Sequence, residues 1–103
     1  MMMHRIDIEE QGNKYVVTFE MPSIREENII IGTEGKSLQV IALNKTVTAD
    51  MQDKSMNLDI KSIIYDKTAV LDNPDFSKLR FTFFAGWLEV IVPMKTGGNG
   101  ENE

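Results

Sequence analysis

Few side chains in this sequence are equipped for chemistry, and their spacing does not assemble them. There is one histidine, His4, and no cysteine. A histidine-centred triad in a folded core is therefore excluded, as are thiolate nucleophiles, disulfides and cysteine zinc sites. Carboxylates occur in adjacent pairs, Glu9-Glu10 and Glu26-Glu27. General acid–base work needs carboxyls that converge on one substrate. Neighbours on a strand point to opposite faces, so Glu9-Glu10 are poor partners, and both pairs read as solvated surface. Met1, Met2, Met3 and His4 carry thioether and imidazole donors suited to a soft ion such as Cu(I). Nothing in the sequence fixes a coordination geometry for them, and a flexible start is the simpler reading. Gly97-Gly98-Asn99-Gly100 is not followed by a helix, so it is no phosphate loop. The expectation is a protein that is not an enzyme and uses no metal and no cofactor.

What remains is binding. The net charge is −5, and the 11 Lys and Arg are scattered. That argues against nucleic acid as a partner, because phosphate-backbone binders need a basic surface. No apolar run is long enough to span a membrane. The start lacks the apolar stretch of a secretory leader, so a cytoplasmic location is expected. With 103 residues there is room for one domain with a real core. We expect it over residues 1–95, followed by a polar tail over 96–103 that has nothing to bury.

The elements that must position any binding residues are strands. From Lys78 to Pro93, Leu79, Phe81 and Phe83 alternate with Arg80 and Thr82. After Ala85-Gly86, Leu88, Val90 and Val92 alternate with Trp87, Glu89 and Ile91. This two-residue period predicts a hairpin with one apolar row turned to a core. Similar alternation predicts an edge strand over 5–10, a strand over 15–21 stopped by Pro22, a β-branched strand at Ile29-Ile30-Ile31, and one over 38–43. Ser23 is placed to cap a single helical turn with Glu26. The segment 32–35 should hold a turn, and 45–55 reads as a long loop. Met56, Leu58 and Ile60 mark a weak strand, and 63–71 a further one. Seven or eight short strands with frequent punctuation predict an all-β fold, an immunoglobulin-like antiparallel β-sandwich.

Several pieces resemble the small heat-shock proteins, whose core is the α-crystallin domain. They are Tyr15 to Pro22, Glu26-Glu27-Asn28-Ile29, Gly35 to Val40, Asp75 to Phe81, and Gly86-Trp87-Leu88-Glu89-Val90-Ile91-Val92-Pro93. Together they span about Ile8 to Pro93. Phe81 stands where that family's signature usually has alanine, and Trp87 where it has valine. The resemblance implies the α-crystallin type of sandwich and ATP-independent holding of partly unfolded client proteins. Family members carry a longer N-terminal arm and a C-terminal Ile-x-Ile anchor. Neither is evident in this sequence, so a homodimer is expected rather than a large oligomer. The rival expectation is a co-chaperone or adaptor of the p23/CS type that recognises one folded partner.

The resemblance also implies a groove, with Ile29 and Ile31 on one wall and Phe76, Lys78 and Arg80 on the other. The plain alternative is that the two isoleucines are simply core. In bacterial-type members a strand swaps between subunits, and Met56, Leu58 and Ile60 match that dimerisation strand. From the residues alone, Phe84, Trp87 and Ile91 share the face opposite Leu88, Val90 and Val92. They form a second candidate binding patch, unless a covering strand or loop hides Trp87.

Overall fold

Alternating apolar positions dictate the backbone course of this chain, described over residues 5–49 and 57–96 by a computed structural model. The described strands are β1 (Ile6–Gln11), β2 (Lys14–Glu20), β3 (Ile29–Glu34), β4 (Ser37–Ala49), β5 (Asn57–Val70), β6 (Arg80–Phe84) and β7 (Trp87–Pro93). They form two antiparallel sheets, ordered β1-β2-β7-β6 and β3-β4-β5. This is the predicted all-β sandwich.

Register decides what is buried. On β2 and β7, Phe19 faces Leu88, Val17 faces Val90 and Tyr15 faces Val92. The facing sheet contributes Leu38, Val40 and Ala42 from β4, and Tyr65 and Ala69 from β5. Phe19, Val17, Leu88, Val90, Val92, Leu38 and Val40 are wholly inaccessible. Each such side chain stabilises the fold by about 1.5–3 kcal/mol relative to exposure. One residue further along each strand lies the opposite, solvent-facing row.

The turn at Ala85-Gly86 has φ of +52° and +82°. Two left-handed residues make the mirror-image hairpin turn whose twist matches the flanking strands. The Met21 N–H donates to the Gly86 carbonyl at 2.6 Å, tying the end of β2 to this hairpin. A Cβ on Gly86 would lie 3.4 Å from the Pro22 Cα.

Several local expectations change. Ser23 does not cap the short helix. Glu26–Asn28 is a single 3-10 turn with Arg25 at its N-cap and no side-chain cap, while Ser23 sits at φ +67°. Residues 32–34 belong to β3, and the turn falls at Gly35, at φ +61°, and Lys36. Residues 45–49 are not loop but the second half of β4. The two strands expected over 56–60 and 63–71 are one strand, β5. A bulge between Ala42 and Leu43 of β4 leaves Ile64 as the extra residue, since Ala42 pairs with Tyr65 and Leu43 with Ile63. It broke the two-residue period and made one strand look like two. Met56 lies outside the described residues.

The way the sheets stack follows from two anchors, one on β5 and one just past it. Burial first, and then the nearby Glu20 carboxylate at the end of β2, raise the pKa of Tyr65. Past the other end of β5, the Asn73 N–H donates to the Tyr15 hydroxyl, on the start of β2, at 2.7 Å. So β5 runs across β2. The inward row of β7 is wholly buried while β1 is mostly exposed, so the three-stranded sheet extends from β2 over β7 rather than over β1, which directs its other edge, β3, towards β6.

Candidate functional site

That stacking brings two edge strands together. β3 ends the three-stranded sheet and β6 ends the four-stranded one. Neither has a strand partner on its outer side among the described residues. Ile29 and Ile31 face inward from β3, half-buried against the core. From the other side Leu79 and Phe83 pack against the same core, also half-buried. Phe81 pairs with the buried Val90 and so faces inward too, yet it is 46% exposed. An inward-facing phenylalanine at a sheet edge is half open because nothing closes the seam beside it.

The expected second wall of this groove is therefore rearranged. Phe76 and Lys78 lie not on a strand but in a 3-10 turn, Phe76–Lys78, which precedes β6. Asp75 organises that turn by accepting from the Ser77 N–H and hydroxyl. The Ser77 hydroxyl bond, outweighing an opposing desolvation and helped by the Ser77 N–H and the Lys78 and Lys95 charges, holds the Asp75 carboxyl below its ordinary range. Phe76 packs half-buried on the core, and Lys78 is exposed. Arg80 pairs with Ile91 and sits on the outer face. Phe81 and Phe83 take the position expected of Arg80. The alternation Leu79-Phe81-Phe83 was visible in the sequence and gave this answer; the motif correspondence pointed one residue away.

The outer face of the four-stranded sheet carries the second candidate. Phe84 and Trp87 are a cross-strand pair beside the hairpin turn, 82% and 44% exposed. Among the described residues no strand or loop hides Trp87. Ile91 shares the face but lies two rows away, half-buried beside Val16, with Glu89 and Thr82 between.

Sequence reasoning left a third apolar area unremarked. Ile30, Ile41, Leu43 and Ile63 occupy the outer row of the three-stranded sheet, with Ile30 and Ile63 exposed. Inward assignment of Leu38, Val40 and Ala42 already implied Ile41 and Leu43 on the other side. A hollow of 220 Å³ lies lower on this sheet, lined by Gly32, Thr33, Glu34, Ser37, Gln39 and Thr68. Its lining side chains are polar, which makes it a poor seat for an apolar segment.

Leu58 and Ile60 pair with Thr48 and Thr46 of the same chain, in the distal half of the β4–β5 hairpin. No third strand joins that half among the described residues. No cluster of three or more His, Asp or Glu that could hold a metal occurs among the described residues, and Met1 to His4 lie outside them. No helix of the described residues is long and apolar enough to cross a membrane.

A family model described as the Hsp20/alpha crystallin family matches residues 7–103. The chain belongs to that family. It is a family of small heat-shock proteins, whose members act as chaperones rather than enzymes. In sequence, the chain is 27% identical over 97 residues to the 18 kDa heat shock protein of Clostridium acetobutylicum, covering 91% of this chain. It spans 64% of that relative's length. In structure, it resembles a small heat-shock protein from Xylella fastidiosa, with TM-score 0.70 and 16% identity, over 97% of this chain and 93% of that one. It also resembles heat shock protein 16.0 from Schizosaccharomyces pombe, with TM-score 0.68 and 14% identity, over 100% and 96% of the two chains. At such identities the likeness is one of fold, and it is the α-crystallin sandwich.

Proposed function

We propose that this Hsp20-family chain holds partly unfolded proteins without ATP, taking up their exposed apolar segments along the β3–β6 seam. The observation that carries this reading is Phe81, turned towards the core yet half open, with Ile29 and Ile31 on the facing edge. An extended client segment can add as a strand to either edge, where backbone N–H and C=O groups face outward. Its alternate side chains then drop between Phe81 and the isoleucines. Main-chain hydrogen bonds read no sequence, and an apolar slot reads only size, so the site suits many clients. Native proteins keep such segments buried. The protein therefore draws on the unfolded population alone and shifts it by mass action, with no bond made or broken. The working unit in this reading is a homodimer in the cytoplasm, joined through the distal β4–β5 hairpin that holds Leu58 and Ile60.

The test is suppression of heat-induced aggregation of an unrelated client at rising molar ratio, with mass read by light scattering in the same samples. Protection near equimolar ratio supports the reading. A folded protein that gives no protection at any ratio refutes it.

A further inference from the structure

The seam is not an open trough along its whole length. Each end of the sandwich is crossed by a link between the two sheets. The link from β2 to β3 passes the β6–β7 turn, where the Met21 N–H donates to the Gly86 carbonyl and Pro22 lies alongside Gly86. It then lays Ile24 half-buried on the core before β3 begins. The link from β5 to β6 crosses the opposite end, where the Asp75 N–H donates to the Pro93 carbonyl at 2.7 Å. It lays Phe76 half-buried on the core just before Leu79.

The inward row at the β6 edge records the result. Leu79 and Phe83 are half-buried, and Phe81 between them is 46% exposed. Same-face neighbours on a strand stand about 6.8 Å apart. The row is therefore closed, open and closed again within about 14 Å. The apolar row of β3 is equally short. Ile29 and Ile31 are followed by Thr33, which pairs with the buried Leu38 and so shares their face.

We infer that the seam is a single window at Phe81, which seats one large apolar side chain of an extended segment and no second one two residues away. This rests on the seam as the holding site and names its substrate class. That class is a segment in which one leucine, methionine or phenylalanine has small or polar residues two positions to either side. A bulky group at a flanking position arrives over Phe76 and Leu79, or over Ile24 and Phe83, where side chains already pack on the core. Pairing with the open edge fixes the segment's register. An aromatic occupant gains an edge-to-face contact with the Phe81 ring. A single large apolar residue recurs in any unfolded chain far more often than a pair at fixed spacing, so one window serves more clients than two would.

The probes are three dye-labelled peptides on a threonine background, which favours the extended backbone. One carries a single central phenylalanine, one carries two phenylalanines two positions apart, and one carries none. Each is titrated into the intact protein and read by polarisation. The single-phenylalanine peptide should bind saturably, and the blank at least about ten-fold more weakly. The pair should bind within about two-fold of the single, since two ways of seating one ring double the constant. A second seated ring would instead add about ten-fold. Phe81→Ser should weaken the single and the pair alike, by about five-fold. Phe81→Ala serves if the serine variant is poorly folded. Ile24→Ala removes the closure at the hairpin end, and the pair should then bind several-fold tighter than the single. A ten-fold advantage of the pair in the parent chain, with both peptides weakened by Phe81→Ser, would overturn the single window and leave the seam standing. An unchanged ratio of pair to single in Ile24→Ala would also overturn the window. No saturable binding of the single-phenylalanine peptide, or binding indifferent to Phe81→Ser, would remove the seam itself and the window with it.

Discussion

Phe81 and Phe84 lie three positions apart on one five-residue strand, yet on opposite faces. Replacing each by serine therefore separates the seam from the outer face. Phe81 is 46% exposed, so about half of a phenylalanine's burial energy, roughly 1 kcal/mol, is lost from the fold in Phe81→Ser. For a domain of this size that lowers Tm by about 4–8 °C. Phe84 is 82% exposed, and Phe84→Ser should change stability by less than about 0.5 kcal/mol. The exposed half of Phe81 is what a client segment would cover. Losing it should cost about another 1 kcal/mol in binding, or roughly five-fold in client affinity. The assay is light scattering of a heat-aggregating client, run at least about 10 °C below the Tm of the weaker variant. Phe81→Ser should need several times more protein for half-protection, while Phe84→Ser should match the parent chain. Equal protection by Phe81→Ser would refute the seam as the holding site. Equal loss in both variants would show that general apolar exposure, not the seam, does the holding.

Tyr65 supplies a pH prediction. Burial, helped by the Glu20 carboxylate, raises its phenol from 10.0 to about 12. The folded state thus favours the neutral form. Stability is full below pH 10, falls by about 1.4 kcal/mol per pH unit above it, and levels off above about pH 12. Urea unfolding at high pH should show a loss of about 3 kcal/mol in the parent that Tyr65→Phe lacks. At the β6–β7 turn, Ala85 sits at φ +52°, so Ala85→Asn should stabilise by about 0.5–1 kcal/mol. Gly86→Ala should destabilise by about 1–2 kcal/mol, as both φ and the approach to Pro22 oppose it. Thermal melts of the two variants should move in opposite directions. Excising Thr46 to Lys61 and joining Lys45 to Ser62 through Asn-Gly should leave the sandwich intact, because Asn44 and Ser62 are already paired. Light scattering should then give a monomer mass; an unchanged dimer mass would sink the hairpin as the dimer contact.

What could be read from the sequence was whatever the two-residue period controls. The inward rows Tyr15-Val17-Phe19, Leu38-Val40-Ala42 and Leu88-Val90-Val92 are all buried core, and the Ala85-Gly86 turn is where alternation changes phase. The period failed where backbone irregularity interrupts it. At Ile64 the bulge inserts one residue, and the alternation of β5 slips out of phase with itself. Lys45, Thr46 and Thr48 hid the far half of β4, because they break the apolar alternation that marks a strand. At the candidate site, alternation alone puts Phe84 and Trp87 on the outer face, whereas Ile29 and Ile31 follow from the family resemblance, which also put Arg80 on the wall where the register of Phe81 and Phe83 turns it outward. No local pattern could say that β3 lies over β6. That depends on Tyr15, Asn73 and Tyr65, contacts between residues far apart in the chain.

β6 carries residues of both candidate surfaces, and its composition explains how one short strand can do so. Three of its five residues are phenylalanine, and strand geometry must distribute them: Phe81 and Phe83 inward, Phe84 outward. An edge strand with aromatic residues on both faces is ordinarily a template for aggregation. Here the strand is short, opens on the charged Arg80, and carries Thr82 between its phenylalanines. Glu89 stands across from Thr82, so the outer rings sit beside a charged row rather than a further apolar one. Inside, Phe83 anchors the edge to the core while Phe81 stays half open. In the proposed reading the same edge is open to an extended chain that approaches in strand register and closed to a folded surface that cannot. Such selectivity, for disordered chain over folded protein, is what a holdase would require, and it would need no moving part and no energy source.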